Sequence, residues 1–423
     1  MKNACLSLFV SDPPVINNTT SARLTGFDAA RGTAMLLVCV SHFLDMYFLA
    51  ERLPPAERPQ IGELVGYVVL ACRMATPTFF LVSGLVLGYL YRTKGSQFGA
   101  LRLHLLDKAL FLATIGHVLI AIFTAARSGL SLSISEGYVT DTLAVCVIGS
   151  LLLLPRTAAT TRLWLGLALY LVSWTGWYFW HPDAPPLNTL KCIFLGPQED
   201  GTTIFYFPLL PWFGVHLIGG YLGEHFSQYR SDDLYWQISK RLGTLAATAV
   251  LAALATKIIY TTLADLALFT PTASLLRFVS FWQKHPPGPL YLLLLGGGAL
   301  FIISGLLFAE RAQWIRCYLR LAETVGRNSL LAFLLQYFVY YTVFYMLVTQ
   351  TSLITPWMAV GFLLVSLLGQ LAVIAWLDRC HINHAWTVGL PRLVQSWPRL
   401  ALPVCAPSSR APLKPLKKHN AEC

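Results

Sequence analysis

Apolar runs as long as a bilayer is thick recur through this sequence, and they leave few folds open. Many windows exceed the roughly 18 apolar residues that mark a spanning helix. Of 423 residues, 56% are hydrophobic and only 12% are charged, whereas soluble domains carry about 25% charged residues. The sequence predicts an all-α polytopic membrane protein with about ten transmembrane helices. The expected spans are roughly 29–50, 64–91, 104–125, 140–155, 162–180, 205–226, 241–262, 289–309, 328–349 and 356–377. The second is long enough to be either one tilted helix or a short interfacial helix ending near Arg73 followed by a span from Pro77.

Charge between the spans sets the expected orientation. Arg92, Lys94, Arg102 and Lys108 follow span two, and Arg156 and Arg162 follow span four. Arg230, Lys240 and Arg241 follow span six. Arg311, Arg316, Arg320 and Arg327 follow span eight, and seven basic residues from Arg379 to Lys418 follow span ten. These are alternate connections, so they share one side, and the positive-inside rule makes both termini cytoplasmic. The formal net charge of +11 therefore reports topology rather than affinity for nucleic acid. Residues 1–25 form an N-terminal cytoplasmic segment without the layout of a signal peptide. Residues 26–378 form the membrane domain. Residues 379–423 are basic and Pro-rich and read as a disordered cytoplasmic tail. The nine cysteines show no paired spacing; Cys39, Cys72 and Cys146 sit in apolar runs as small hydrophobes. With the N-terminus inside, the Asn17 sequon is idle. Cys380, His381 and His384 lack a fourth ligand, so no metal site is expected.

Span one departs from this apolar background. It carries Asp28, Arg31, His42 and Asp45, and an ionisable group inside a membrane is a functional-site hypothesis by default. Arg31 and His42 are eleven residues apart and fall on nearly one helix face, with Asp28 one turn before and Asp45 one turn after. At a rise of ~1.5 Å per residue, His42 lies roughly 16 Å deeper than Arg31, about half of the hydrocarbon core. The stripe reads as a polar path leading inward from the cytoplasmic face. The bland alternatives are a histidine bonding between helices and an arginine that snorkels to the headgroups.

Arg31, ten residues, then His42 resembles the first span of the membrane-bound acyltransferases, and Asp28-Ala29-Ala30-Arg31-Gly32 looks like that family's Asp-x-x-Arg-Gly entry. Phe79-Phe80-Leu81-Val82-Ser83-Gly84 is similar to the superfamily's Phe-Phe-x-x-Ser-Gly segment. Pro208-Leu209-Leu210-Pro211-Trp212-Phe213-Gly214 resembles a Pro-Leu-x-Pro-Trp-x-Gly segment of the branch that includes heparan-alpha-glucosaminide N-acetyltransferase and its bacterial relatives. Lys284-His285-Pro286-Pro287 resembles those relatives' Lys-Tyr-Pro-Pro, and Gly326-Arg327-Asn328-Ser329-Leu330 their late Gly-x-x-Ser/Pro-Leu helix start. The matches keep a common order over about residues 23–340. The late helix departs from the pattern at two positions: Gln336 stands where a histidine is usual, and Phe333 where a tyrosine is.

The resemblance implies transfer of an acyl group, commonly acetyl from acetyl-CoA, to a hydroxyl or amine, often on a sugar. In that reading His42 is the general base or the acyl carrier, and Asp45 orients its imidazole. Arg31 meets the CoA phosphates, aligned by Asp28. On the external side, Arg73 either binds acceptor or anchors at the interface. Trp212 marks an interface or lines a cavity, Lys284 contacts acceptor from a loop over the mouth, and Gln336 takes over whatever the usual histidine does. The expected partners are acyl-CoA, an unknown small acceptor and the bilayer, with self-association open; no nucleic acid is expected. The expected place is a bacterial cytoplasmic membrane. Two other classes compete: a transporter or flippase that uses the charged stripe, and a non-catalytic membrane component, which the departure at Gln336 keeps in view.

Overall fold

The computed structural model describes residues 25–50, 66–182, 186–197, 205–228, 234–266, 268, 270, 272–310, 315–350 and 355–379. Apart from isolated β-bridges, these residues build helices and their connections. In chain order the helices are α1 (Thr25–Ala50), α2 (Ala75–Lys94), α3 (Phe98–Phe111), α4 (His117–Ser128), α5 (Leu130–Ser135), α6 (Val139–Leu153), α7 (Ala159–Phe179) and α8 (Leu187–Phe194). There follow α9 (Leu209–Phe226), α10 (Leu234–Asp265), α11 (Ala273–Phe278), α12 (Gly297–Ala309), α13 (Arg316–Arg327), α14 (Ser329–Tyr337), α15 (Tyr345–Gln350) and α16 (Pro356–Arg379). A π-helical segment, Phe338–Phe344, joins α14 to α15.

Among the described residues, six helices are long and apolar enough to cross a membrane, where the sequence suggests about ten. The difference has identifiable sources. Gly66–Ser128, 63 residues long, counts as a single one of the six and holds two of the expected spans. α6 has 15 residues. The remaining two expected spans correspond to α7 and α9, which are outside the six. The long second span breaks at a turn over Arg73 and Met74, and α2 begins at Ala75. Pro77 accounts for the break, because a residue without an N–H is tolerated in the first turn of a helix and not in its interior. Residues 1–24, with the Asn17 sequon, and the cluster Cys380, His381 and His384 lie outside the described residues.

Small residues decide which helices touch. α2 lies against α9 through Gly84 and Gly88 on one side and Gly219, Gly220 and Gly223 on the other. A Cβ added at Gly84 would sit 2.0 Å from the His216 carbonyl oxygen, and one at Gly223 would sit 1.9 Å from that of Leu85. Close backbone approach of this kind drives helix association where lipid tails remove the hydrophobic drive. α1 crosses α13 the same way: a Cβ on Gly32 would meet the Ala322 carbonyl oxygen at 1.8 Å, and one on Gly326 that of Asp28 at 1.7 Å. The two largest clusters of buried side chains form around these crossings. One gathers Phe80, Trp212, Tyr291 and Leu307; the other gathers Met35, Phe43, Tyr337 and Phe344 around α1 and the α14 region. Large apolar side chains on α7 and α16, including Trp164, Leu171, Phe179, Val365 and Leu368, face outward, as a lipid-facing surface requires.

Candidate active site

The centre of the site is the imidazole of His42 on α1. Its Nδ1 lies 2.7 Å from the Oε1 of Gln336 on α14. The Tyr337 and Tyr341 rings stand edge-on to it, each with its centroid 5.1 Å away. Those two tyrosines stack on one another at 4.8 Å; the π-helical segment begins right after Tyr337 and carries Tyr341. Single π-turns of this sort occur frequently at functional sites. The second ring nitrogen of His42, Nε2, has no hydrogen-bond partner among the described residues, and the side chain is only partly buried. An accepting amide oxygen at Nδ1 assigns the hydrogen to that nitrogen and leaves a lone pair on Nε2.

Two cationic side chains act on the imidazole. Lys284 and Arg127 lie close enough for their charges to act on His42. The Arg127 guanidinium lies over the Tyr341 ring, 5.5 Å from its centroid, and bonds both carboxylate oxygens of the buried Glu136 at 3.2 and 3.3 Å. Beyond it, Tyr138 meets Tyr337 edge-on at 6.2 Å. Its hydroxyl bonds the Ser133 carbonyl at 2.8 Å and the Thr124 hydroxyl at 2.9 Å. His117 places one nitrogen 3.0 Å from an Asp141 carboxylate oxygen and the other 3.0 Å from the Ile134 carbonyl. Both of those partners accept, so the geometry suits an imidazolium.

Asp45 is one turn beyond His42, but Gln336 and not Asp45 holds the Nδ1 edge of the imidazole. The Asp45 carboxylate is exposed, and its charged neighbours are Lys284, Arg73 and Arg127. Lys284 is half-buried in the segment before α12, with Nζ 5.0 Å from the Phe207 ring centroid. Burial pushes its ammonium down to about 8, with Asp45 opposing the shift. Burial, with Lys284 beside it, also holds His285 well below the usual histidine range. Arg73 donates to the Trp282 carbonyl at 2.9 Å and packs over that indole at 4.9 Å; it ties the 282–285 segment to the start of α2. Trp212 is fully buried and stacks on Phe80 at 4.8 Å, so it is part of the core and lines no open surface.

At the other end of the α1 stripe, Arg31 donates to the Ser329 hydroxyl at 2.8 Å and has an Asp28 carboxylate oxygen at 3.9 Å. The expected i,i+3 pair is therefore present. Both ends of α14 now have a role in the site: Ser329 meets Arg31, and Gln336, two turns on, meets His42. Beside the start of α1 is a cavity of about 260 Å³, lined in part by Thr25, Ala29, Glu310, Arg316, Arg320 and Glu323. Thr25 donates to Glu310 at 2.5 Å, and burial raises that carboxyl. Arg316 and Arg320, read from the sequence only as topology charge, are four apart on α13 and so share a face. Both line that cavity and can meet an anion there.

A second buried polar column stands away from His42. His216 on α9 bonds Ser150 at 3.0 Å and Ser83 at 3.3 Å, and Arg162 pairs with Glu224, which also has Arg92 at 3.5 Å. Among the described residues, no three His, Cys, Asp or Glu side chains converge as metal ligands. Sequence reasoning missed Arg127, Glu136, Tyr337 and Tyr341. The one available signal was Arg127 at the end of an apolar run, and it names no partner.

Compared with known proteins, the chain matches a family model described as an acyltransferase domain over residues 24–375. No curated protein and no solved structure matches it.

Proposed function

Because the chain belongs to the Acyltransferase_3 family of multi-pass membrane acyltransferases, we propose that His42 carries the acyl-transfer chemistry, moving an acetyl group from cytoplasmic acetyl-CoA to a hydroxyl or amine of a small acceptor. One observation carries the reading: within the matched family domain, the His42 imidazole has Nδ1 held and Nε2 free. A bare Nε2 supports two routes. As a general base it takes the acceptor O–H or N–H proton while the acceptor atom bonds the thioester carbonyl carbon. The C–S bond then breaks, and the thiolate takes the proton back from the imidazolium. As an acyl carrier, Nε2 itself bonds the carbonyl carbon as the C–S bond breaks. The acceptor then displaces the imidazole, and its proton goes to the thiolate.

In this reading Arg31, backed by Asp28 and Ser329, receives the anionic phosphates of the donor, and Arg316 and Arg320, which line the cavity beside the start of α1, add positive charge at the same end. Lys284, Asp45 and Arg127 face the acceptor. Arg73 secures the segment above them, Trp212 supports that segment's aromatic floor through Phe207, and Gln336 serves His42. We place the chain in the heparan-alpha-glucosaminide N-acetyltransferase-like branch on the order of its motifs. We assign it about ten spans with both termini in the cytoplasm and a bacterial cytoplasmic membrane as its site.

The test uses purified protein in lipid with acetyl-labelled acetyl-CoA, following label retained on protein and label transferred to an acceptor or to water. Turnover should fall by roughly 10²–10⁴ in His42→Ala, with the protein still monodisperse. Covalent label would select the carrier route. Arg31→Ala should weaken donor binding. Full turnover in folded His42→Ala would overturn the proposal.

A further inference from the structure

We propose that Gln336 is the positioning residue of this site: its amide oxygen holds the Nδ1 hydrogen of His42, so that Nε2 is the nitrogen left bare. The purpose of this arrangement rests on the acyl-transfer reading above, but its geometry does not. Gln336 is fully buried, and its oxygen lies 2.7 Å from Nδ1. The same amide's nitrogen is also buried and has no hydrogen-bond partner among the described residues. A buried orphan donor is costly, and a leucine of similar volume would avoid that cost. What glutamine contributes here is its bond to His42.

The neighbours complete the constraint. The Tyr337 and Tyr341 rings stand edge-on to the imidazole at 5.1 Å and restrict its rotation, so the amide sets the tautomer of a ring whose direction is already limited. Which nitrogen of a histidine carries the hydrogen is set by the bond the other makes. Among the described residues, Lys284 and Arg127 are the groups whose charges act on the ring. A neutral amide orients the imidazole among them without adding a charge of its own. A carboxylate at this position would favour the imidazolium, which can neither accept a proton nor attack a carbonyl carbon. Turning the amide over would present its N–H₂ to Nδ1, place the ring hydrogen on Nε2 and silence the outward nitrogen.

The experiment is ¹⁵N NMR of the full chain, histidine-labelled, in lipid bilayers, with the His42 signals assigned by difference against His42→Asn. Wild type should show a protonated Nδ1 and a bare Nε2. In Gln336→Leu that preference should be lost, and in Gln336→Glu the Nδ1 hydrogen should return. Turnover of acetyl-CoA should fall roughly 10- to 100-fold in Gln336→Leu, through kcat rather than KM for the donor. A bare Nδ1 in wild type overturns the proposal, as does a folded Gln336→Leu with unchanged spectrum or unchanged kcat. If Gln336→Leu fails to fold, the wild-type and Gln336→Glu spectra decide alone. The spectra need neither donor nor acceptor. A Nδ1 hydrogen that depends on Gln336, together with full turnover in His42→Ala, would sink the acyl-transfer reading and leave the positioning role intact.

Discussion

His42 was legible as a candidate from one dimension of information: a titratable residue inside an apolar run, on one stripe with Arg31. Its partner was not. Asp45 is one turn away in sequence and is the natural guess, yet side chains one turn apart on a helix meet only if they lean together, and here Gln336 from another helix reaches the imidazole first. Lys284 offers a prediction at this scale. Its ammonium titrates near 8 rather than the ordinary 10.5, so its reactive neutral amine appears as pH rises through about 8. An amine-selective reagent, read by mass spectrometry, should label Lys284 with a midpoint two or more units below that of an exposed lysine. A midpoint near the ordinary value would show that Lys284 is fully hydrated. The shift should shrink in Phe207→Ala, because opening the recess returns water to the ammonium.

α14 links the two candidate residues of α1, through Ser329 to Arg31 and Gln336 to His42. The crossing of α1 and α13 holds that register, and it depends on Gly32 and Gly326, where any side chain would strike backbone. Replacing Gly326 with Ala forces the helices apart and should cost about 1–3 kcal/mol in stability, seen as a lower melting temperature in lipid. It should also loosen Arg31 from Ser329 and weaken acetyl-CoA binding more than an equally destabilising change on α10. Equal effects on binding at matched stability would show that the crossing is only structural. The sequence displayed both motifs, Asp-x-x-Arg-Gly and Gly326-Arg327-Asn328-Ser329. That the glycine of each packs on the other's helix is a tertiary fact with no local sign.

For the whole molecule, the column of Arg162, Glu224 and Arg92 fastens α7, α9 and α2 together. Arg162 and Glu224 are both almost fully buried. Glu224→Gln leaves Arg162 an uncompensated buried charge and should destabilise by about 3–5 kcal/mol, whereas replacing Arg162 and Glu224 together with apolar residues should recover much of the loss. Thermal denaturation in lipid measures both; a single change as mild as the double one would show that water already reaches the pair. The proposed orientation is tested at the same scale. Reporter fusions at Lys94, at Lys240 and after Arg379 should all report the cytoplasmic side, because the basic residues near each must stay with the anionic inner leaflet. A fusion reporting the opposite side at any of the three would break the even-span topology.

Hydropathy alone determined that the chain is helical and membrane-embedded, because period and composition are local properties and the bilayer judges each segment separately. Helix geometry alone aligned Arg31 with His42, because residues eleven apart on one helix share a face whatever surrounds it. Only the tertiary structure decided that Gln336 holds the imidazole, that Arg127, Tyr337 and Tyr341 stand near it, and that Trp212 is buried against Phe80. Those assignments depend on which glycine faces meet and how closely, and close approach between segments far apart in the chain leaves no periodic trace in either of them.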